Sequence, residues 1–171
     1  MADKVSPRPR AARLRQALSG FATPLLGSIA WSLAMGASAA LSGALKAKAF
    51  GGNLEMTVMV FAFGGLAGFA PGLAAFRYLA AGKSRSQRFS LAFLSLAGAT
   101  LLFTAITFAL IFRSYYAQWH ETVFSGDWFR QQFFTTASSF YQFAVLGLRS
   151  YLPIGLPSLF LASWLISKKP V

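Results

Sequence analysis

Reactive side chains are few in this sequence, and their types narrow the reactions open to it. The 171-residue chain holds one histidine, four acidic residues and no cysteine. His120 and Glu121 stand side by side, with Asp127 close behind. A His-Glu pair opens the helical zinc-protease motif, in which a second histidine one turn later completes the ligand face. The run His120-Glu121-Thr122-Val123-Phe124 lacks that second histidine. With Asp127 the pair could at most form a surface metal site; an exposed polar turn is the plainer reading. No glycine-rich phosphate loop is present, and no nucleophile motif surrounds the lone histidine. The lack of cysteine removes disulfides, thiolate metal sites, redox thiols and lipidated cysteine anchors together. The expectation is a chain without catalytic, cofactor-binding or metal-binding residues.

The remaining constellations are suited to packing and contact. Gly64, Gly68 and Gly72 recur every fourth residue, which puts them on one face of a helix. Ser28, Ser32, Gly36, Ala40 and Ala44 repeat that spacing in the preceding apolar run. In lipid there is little hydrophobic drive between helices, so small residues that let backbones approach hold them together. These two faces are expected to meet, as an intramolecular pair or, alternatively, as a subunit contact or pore lining. Thr100, Thr104 and Thr107 form a mild polar stripe of the kind that bonds its own backbone carbonyls. Arg149 precedes Pro153 and Pro157 and would need a phosphate, carboxylate or carbonyl if it lies deep. It joins Arg13 and Arg15 as a candidate lipid-headgroup contact. Tyr115, Tyr116, Trp119, Phe124, Trp128, Phe129, Phe133 and Phe134 crowd one segment. Such rings settle at a membrane boundary, and they also anchor interfaces. Trp119, Trp128, Phe129 and Phe133 are the candidate partner surface.

The scaffold that carries these residues is set by composition. The chain is 56% hydrophobic and 12% charged, where a soluble domain carries about 25% charged residues. Apolar runs of roughly twenty residues, each enough for one helix to cross a bilayer, recur along it. They place transmembrane helices at about 21–45, 56–81, 89–111 and 151–167, preceded by a basic tail over 1–20. The class is an all-α integral membrane protein with four spans, five being possible. The net charge of +12 sits in clusters between apolar runs and not on one polar face, which argues against nucleic acid. Ala37-Ser38-Ala39 has the small-residue pattern of a signal-peptidase site, but the apolar stretch continues past it.

Between the third and fourth spans the pattern changes. Ser125-Gly126-Asp127 reads as a turn and cap for a helix over about 128–148, with Phe129, Phe133, Ala137, Phe140, Ala144 and Leu148 on one face. Arg130, Gln131, Thr135, Ser138 and Gln142 take the other face. This suits an amphipathic helix at the outer interface and is too polar for a lipid-facing span. Pro153 and Pro157 break or kink the helix that leads into the last span, and Pro71 should kink the second span.

With the N-terminus inside, the tail, the Arg77–Arg88 cluster and Lys168–Lys169 share the cytoplasmic side. Lys46, Lys48, Arg113 and Arg130 fall opposite, with Glu55, Glu121 and Asp127. The excess of Lys and Arg marks both termini as cytoplasmic, and basic loops with compact length point to a bacterial inner membrane. Asp, Glu, Lys and His are absent from span interiors, which disfavours a proton-coupled transporter. The expected function is a small non-catalytic membrane subunit acting as an accessory, anchoring or assembly component of a larger complex. Its partners would be membrane lipids and protein subunits or its own copies. A homo-oligomeric channel or small-solute transporter and a lipid-binding membrane protein are the alternatives.

Overall fold

A computed structural model describes residues 22–46 and 53–168; the tail with Arg13 and Arg15 lies outside them. The regular elements among the described residues are all helical: α1 (Ala22–Lys46), α2 (Leu54–Leu79), α3 (Arg85–Tyr116), α4 (Gly126–Gln142) and α5 (Gly155–Lys168). At 1.5 Å per residue, α1 to α3 are about 37, 39 and 48 Å long, and all three are apolar enough to cross a hydrocarbon core of about 30 Å. The protein is an all-α integral membrane protein with three candidate spans of this kind.

The last crossing differs from the expected single span over 151–167. α5 has 14 residues, about 21 Å of helix, too short to cross alone. A π turn (Phe143–Gly147) and a 3-10 turn (Leu148–Tyr151) carry α4 onward, and the arms Gly126–Tyr151 and Gly155–Lys168 meet at 72°. A fourth crossing exists if this bent pair is one span. Pro153 lies in the break and Pro157 in the first turn of α5, where a missing amide hydrogen costs little. α2, by contrast, runs through Pro71 as one continuous helix.

α4 is turned inside out relative to a soluble amphipathic helix. Phe129, Phe133, Phe134, Phe140 and Tyr141 are exposed, whereas Gln131, Gln132, Thr135, Thr136 and Gln142 are half-buried and Ser139 is buried. In lipid this is the stable orientation, because polar groups must find partners inside the protein while rings face the acyl chains. Of its polar side chains, Gln131 and Gln132 bond the preceding loop and α3, Thr135 faces His120, and Thr136 and Ser139 bond carbonyls of α4 itself.

α2 is the central element. Its glycine row faces α3, not α1 as its spacing match suggests. A Cβ on Gly64 would meet Thr104, one on Gly68 would lie 2.7 Å from the Thr100 Cα, and one on Gly72 would lie 3.0 Å from the Ser95 carbonyl oxygen. α1 packs on the neighbouring stripe. The Ser32 hydroxyl donates to the Ala62 carbonyl at 2.8 Å, a Cβ on Gly36 would lie 3.2 Å from Ala62 Cβ, and one on Gly65 would lie 2.9 Å from Met35. Ala40 is half-buried. One apolar cluster joins Trp31, Met35, Phe69, Leu73, Phe76, Leu96 and Leu159 across α1, α2, α3 and α5. A second joins Ala39, Phe61, Ala105 and Phe143.

Gly68→Leu forces a side chain against the α3 backbone, which cannot yield as a flexible side chain does. It should lower stability by more than the ~1–3 kcal/mol typical of overpacked cores. Gly98, on α3, has open space where its Cβ would stand, so Gly98→Leu should be nearly neutral. Thermal unfolding in detergent compares the two; equal midpoints would contradict the α2–α3 contact.

Candidate functional site

The hydrogen bonds at mid-height of the bundle start from the break. A regular helix would pair the Ser150 carbonyl with the Ile154 amide. Here the Ser38 hydroxyl, from the middle of α1, stands between them. It donates to the Ser150 carbonyl at 2.7 Å and accepts from the amides of Ile154 at 3.2 Å and Gly155 at 3.0 Å. Backbone groups freed at a proline-rich break in lipid need such a partner, and Ser38 is fully buried to supply it.

Tyr151 ties the same break to α3. Its hydroxyl donates to Thr104 Oγ1 at 2.6 Å, and its ring lies 4.8 Å from that of Phe61 on α2. The Thr104 hydroxyl donates to the Thr100 carbonyl at 2.8 Å, as threonines in membrane helices commonly do. Thr100 Oγ1 in turn accepts from the Trp31 indole at 2.9 Å. The threonine stripe is thus a rail of acceptors on which residues of α1 and the break dock. Thr107 bonds only within its own helix, to the Phe103 carbonyl.

Beside this network the bend leaves a cleft of about 260 Å³ between α1, α3 and the two arms of the broken helix. Trp31, Met35, Ala97 and Thr100 line its interior, and the exposed Leu148, Leu152 and Leu156 stand on the broken-helix side. The lining is almost wholly apolar, and the indole, the Thr100 hydroxyl and the Tyr151 hydroxyl already have protein partners.

A second polar cluster closes the end where α3 turns into α4. Gln132 Oε1 accepts from Arg113 Nε at 2.8 Å, while its Nε2 lies 2.9 Å from His120 Nδ1. Arg113 is a pure donor, which fixes the amide orientation and makes Nδ1 the acceptor. His120 then carries its proton on Nε2, 3.4 Å from Thr135 Oγ1. The Glu121 amide donates to Gln131 Oε1 at 2.8 Å. Both ring nitrogens of His120 are engaged in holding the loop to α4, and among the described residues no three His, Cys, Asp or Glu side chains converge as metal ligands.

The sequence-derived candidates separate accordingly. Ser32 and Gly36 lie against α2, and Gly64, Gly68 and Gly72 against α3. Trp119 stacks edge-on with Tyr115 at 5.3 Å and is exposed, as are Phe129 and Phe133. Trp128 is half-buried, 4.9 Å from Phe129 and 5.6 Å from Phe124. Arg149 is exposed on the 3-10 turn before the break; its carbonyl accepts from the Leu152 amide at 3.2 Å, and its side chain makes no ion pair or hydrogen bond with the described residues. Trp31 and Tyr151, which help organise the interior, carry no motif that singles them out, and Ser38 is marked in the sequence only as the centre of the signal-peptidase-like Ala37-Ser38-Ala39. No protein-family model matches the chain, and neither does any curated protein or solved structure.

Ser38→Ala leaves a carbonyl and two amides without their hydroxyl partner and should cost about 1–3 kcal/mol. Tyr151→Phe removes one neutral bond while Thr104 keeps its own, at about 0.5–1.5 kcal/mol. Unfolding in detergent should rank Ser38→Ala as the more damaging; the reverse order would contradict the role of Ser38 in the break.

Proposed function

We propose that this chain is a small non-catalytic subunit of a membrane complex, which holds or assembles a membrane-protein partner through the aromatic end formed by α3, the loop 117–125 and α4. The observation that carries this reading is Phe124. Its φ is 69°, a left-handed conformation that costs a bulky residue about 1–3 kcal/mol, and its side chain is 78% exposed. Strain that lifts a large ring out of the protein is offset when a partner covers the ring. Trp119, Phe129, Phe133 and Phe134 extend the same surface. A groove of about 470 Å³ lined by Tyr116, Trp119, Arg130 and Phe134, among others, offers a place for a partner's side chain.

The same reading sets the orientation. Arg77, Lys83, Arg85, Arg88 and Lys168 gather where α2 and α5 end and α3 begins, since Phe160 of α5 packs 6.4 Å from Phe89 near the start of α3. The opposite end holds Arg113 and Arg130 with Glu55, Glu121 and Asp127. The basic end is cytoplasmic under the positive-inside rule, which puts both termini inside a bacterial inner membrane and the aromatic surface outside.

Two experiments test this. The chain has no native cysteine, so a membrane-impermeant thiol reagent applied to intact cells should label Thr122→Cys and spare Ser86→Cys. Labelling of both or of Ser86→Cys alone would overturn the orientation. Phe124→Gly should raise the stability of the isolated protein by about 1 kcal/mol through relief of strain and reduce recovery of copurifying subunits from native membranes. Undiminished recovery would argue against the aromatic end as the docking surface.

A further inference from the structure

The cleft beside the break has properties that identify its occupant. It lies at mid-height of α1 and α3, the level of Trp31 and Thr100, so the medium around it is hydrocarbon. Its wall is almost wholly apolar, and the indole and both hydroxyls that reach it already have protein partners. A ligand that must be hydrogen-bonded would be penalised there, and a saturated chain would not. An apolar cavity of about 150 Å³ admits benzene. On that scale the ~260 Å³ cleft takes roughly ten carbons in a row, a large part of one acyl chain.

One charge is close to its lining residues along the chain. Between Arg130 and Lys168 the sequence has a single charged residue, Arg149. It follows Leu148 and lies two residues before Tyr151, both of which line the cleft. The guanidinium is exposed, and a cation on a helix bounded by lipid reaches along its stem for the phosphates.

We propose that this protein binds one phospholipid, with an acyl chain in the cleft between α1, α3 and the broken helix and the phosphate on Arg149. The chain supplies the packing that the bend withholds from Leu148, Leu152 and Leu156. The break is thereby both the cause of the site and the element the lipid stabilises. This site is separate from the aromatic end, and it stands whether or not that end docks a partner.

The test reconstitutes the full chain in phosphatidylcholine vesicles containing a trace of phosphatidylcholine with a photoactivatable diazirine at mid-chain, and maps adducts by mass spectrometry. Adducts should concentrate on Phe93, Leu101 and Leu156 over the outward-facing Leu102 and Leu110, which face lipid on α3. Ala97→Phe, which fills the cleft, should reduce the cleft adducts to the level of Leu102. Leu152→Trp should do the same from an exposed position where folding is not at stake. Arg149→Gln should lower phospholipid labelling several-fold while leaving labelling by a diacylglycerol carrying the same diazirine, which has no phosphate, unchanged. Adducts spread evenly over the lipid-facing surface, or cleft labelling indifferent to both filling variants, would overturn the site. Equal labelling in Arg149→Gln would overturn its assignment to a phospholipid.

Discussion

The arrangement depends on a gap in the backbone that one hydroxyl closes. A helix entering lipid must satisfy each amide and carbonyl internally, and the segment from Phe143 to Gly155 departs from α-helix by a π turn, a 3-10 turn and a bend. Ser38 stands in for the missing backbone pair. It can do so only because α1 is held in register on α2 through Ser32, Gly36 and Gly65. α2 is held on α3 through its glycine row, and α3 presents the threonines that receive Trp31 and Tyr151. The first three helices are thus a platform whose small residues set the distances at which a few hydroxyls can reach the broken fourth.

The two polar clusters serve the same need at different depths. At mid-height, serine, threonine, tyrosine and indole groups satisfy each other across helices. At the end where α3 turns into α4, Gln132 holds Arg113 and His120 together and leaves the rings of α4 exposed. Side chains that would read as chemistry in a soluble protein, the histidine above all, act here as ties between a loop and a helix.

Much of the fold is legible in the sequence because the bilayer imposes length and apolarity, and α1 to α3 carry both plainly. The glycine row is legible as a close-packing face, but its partner is not. Both α1 and α3 offer ridges of small or short side chains, and reading Thr100 and Thr104 as a polar stripe hides them as the ridge that receives Gly64 and Gly68. Ser38 is hidden by its neighbours, since Ala37-Ser38-Ala39 reads as a signal-peptidase pattern and nothing local marks which hydroxyl will face a break more than a hundred residues away. Composition marks α4 as amphipathic. Periodicity reveals two faces but not which of them turns to lipid.

The inverted faces of α4 also bear on how the protein is made. A helix whose Gln131 and Gln132 side chains bond only once α3 and the loop that follows it are in place gains little by entering lipid early, when those groups would face hydrocarbon unpaired. That pairing favours an order in which α1 to α3 insert on their own hydropathy and the C-terminal third settles against them afterward. Nascent chains halted before α4 would already hold their membrane, whereas the segment from Gly126 onward, separated from α1 to α3, would remain a client for whatever shields polar helices at the insertion site.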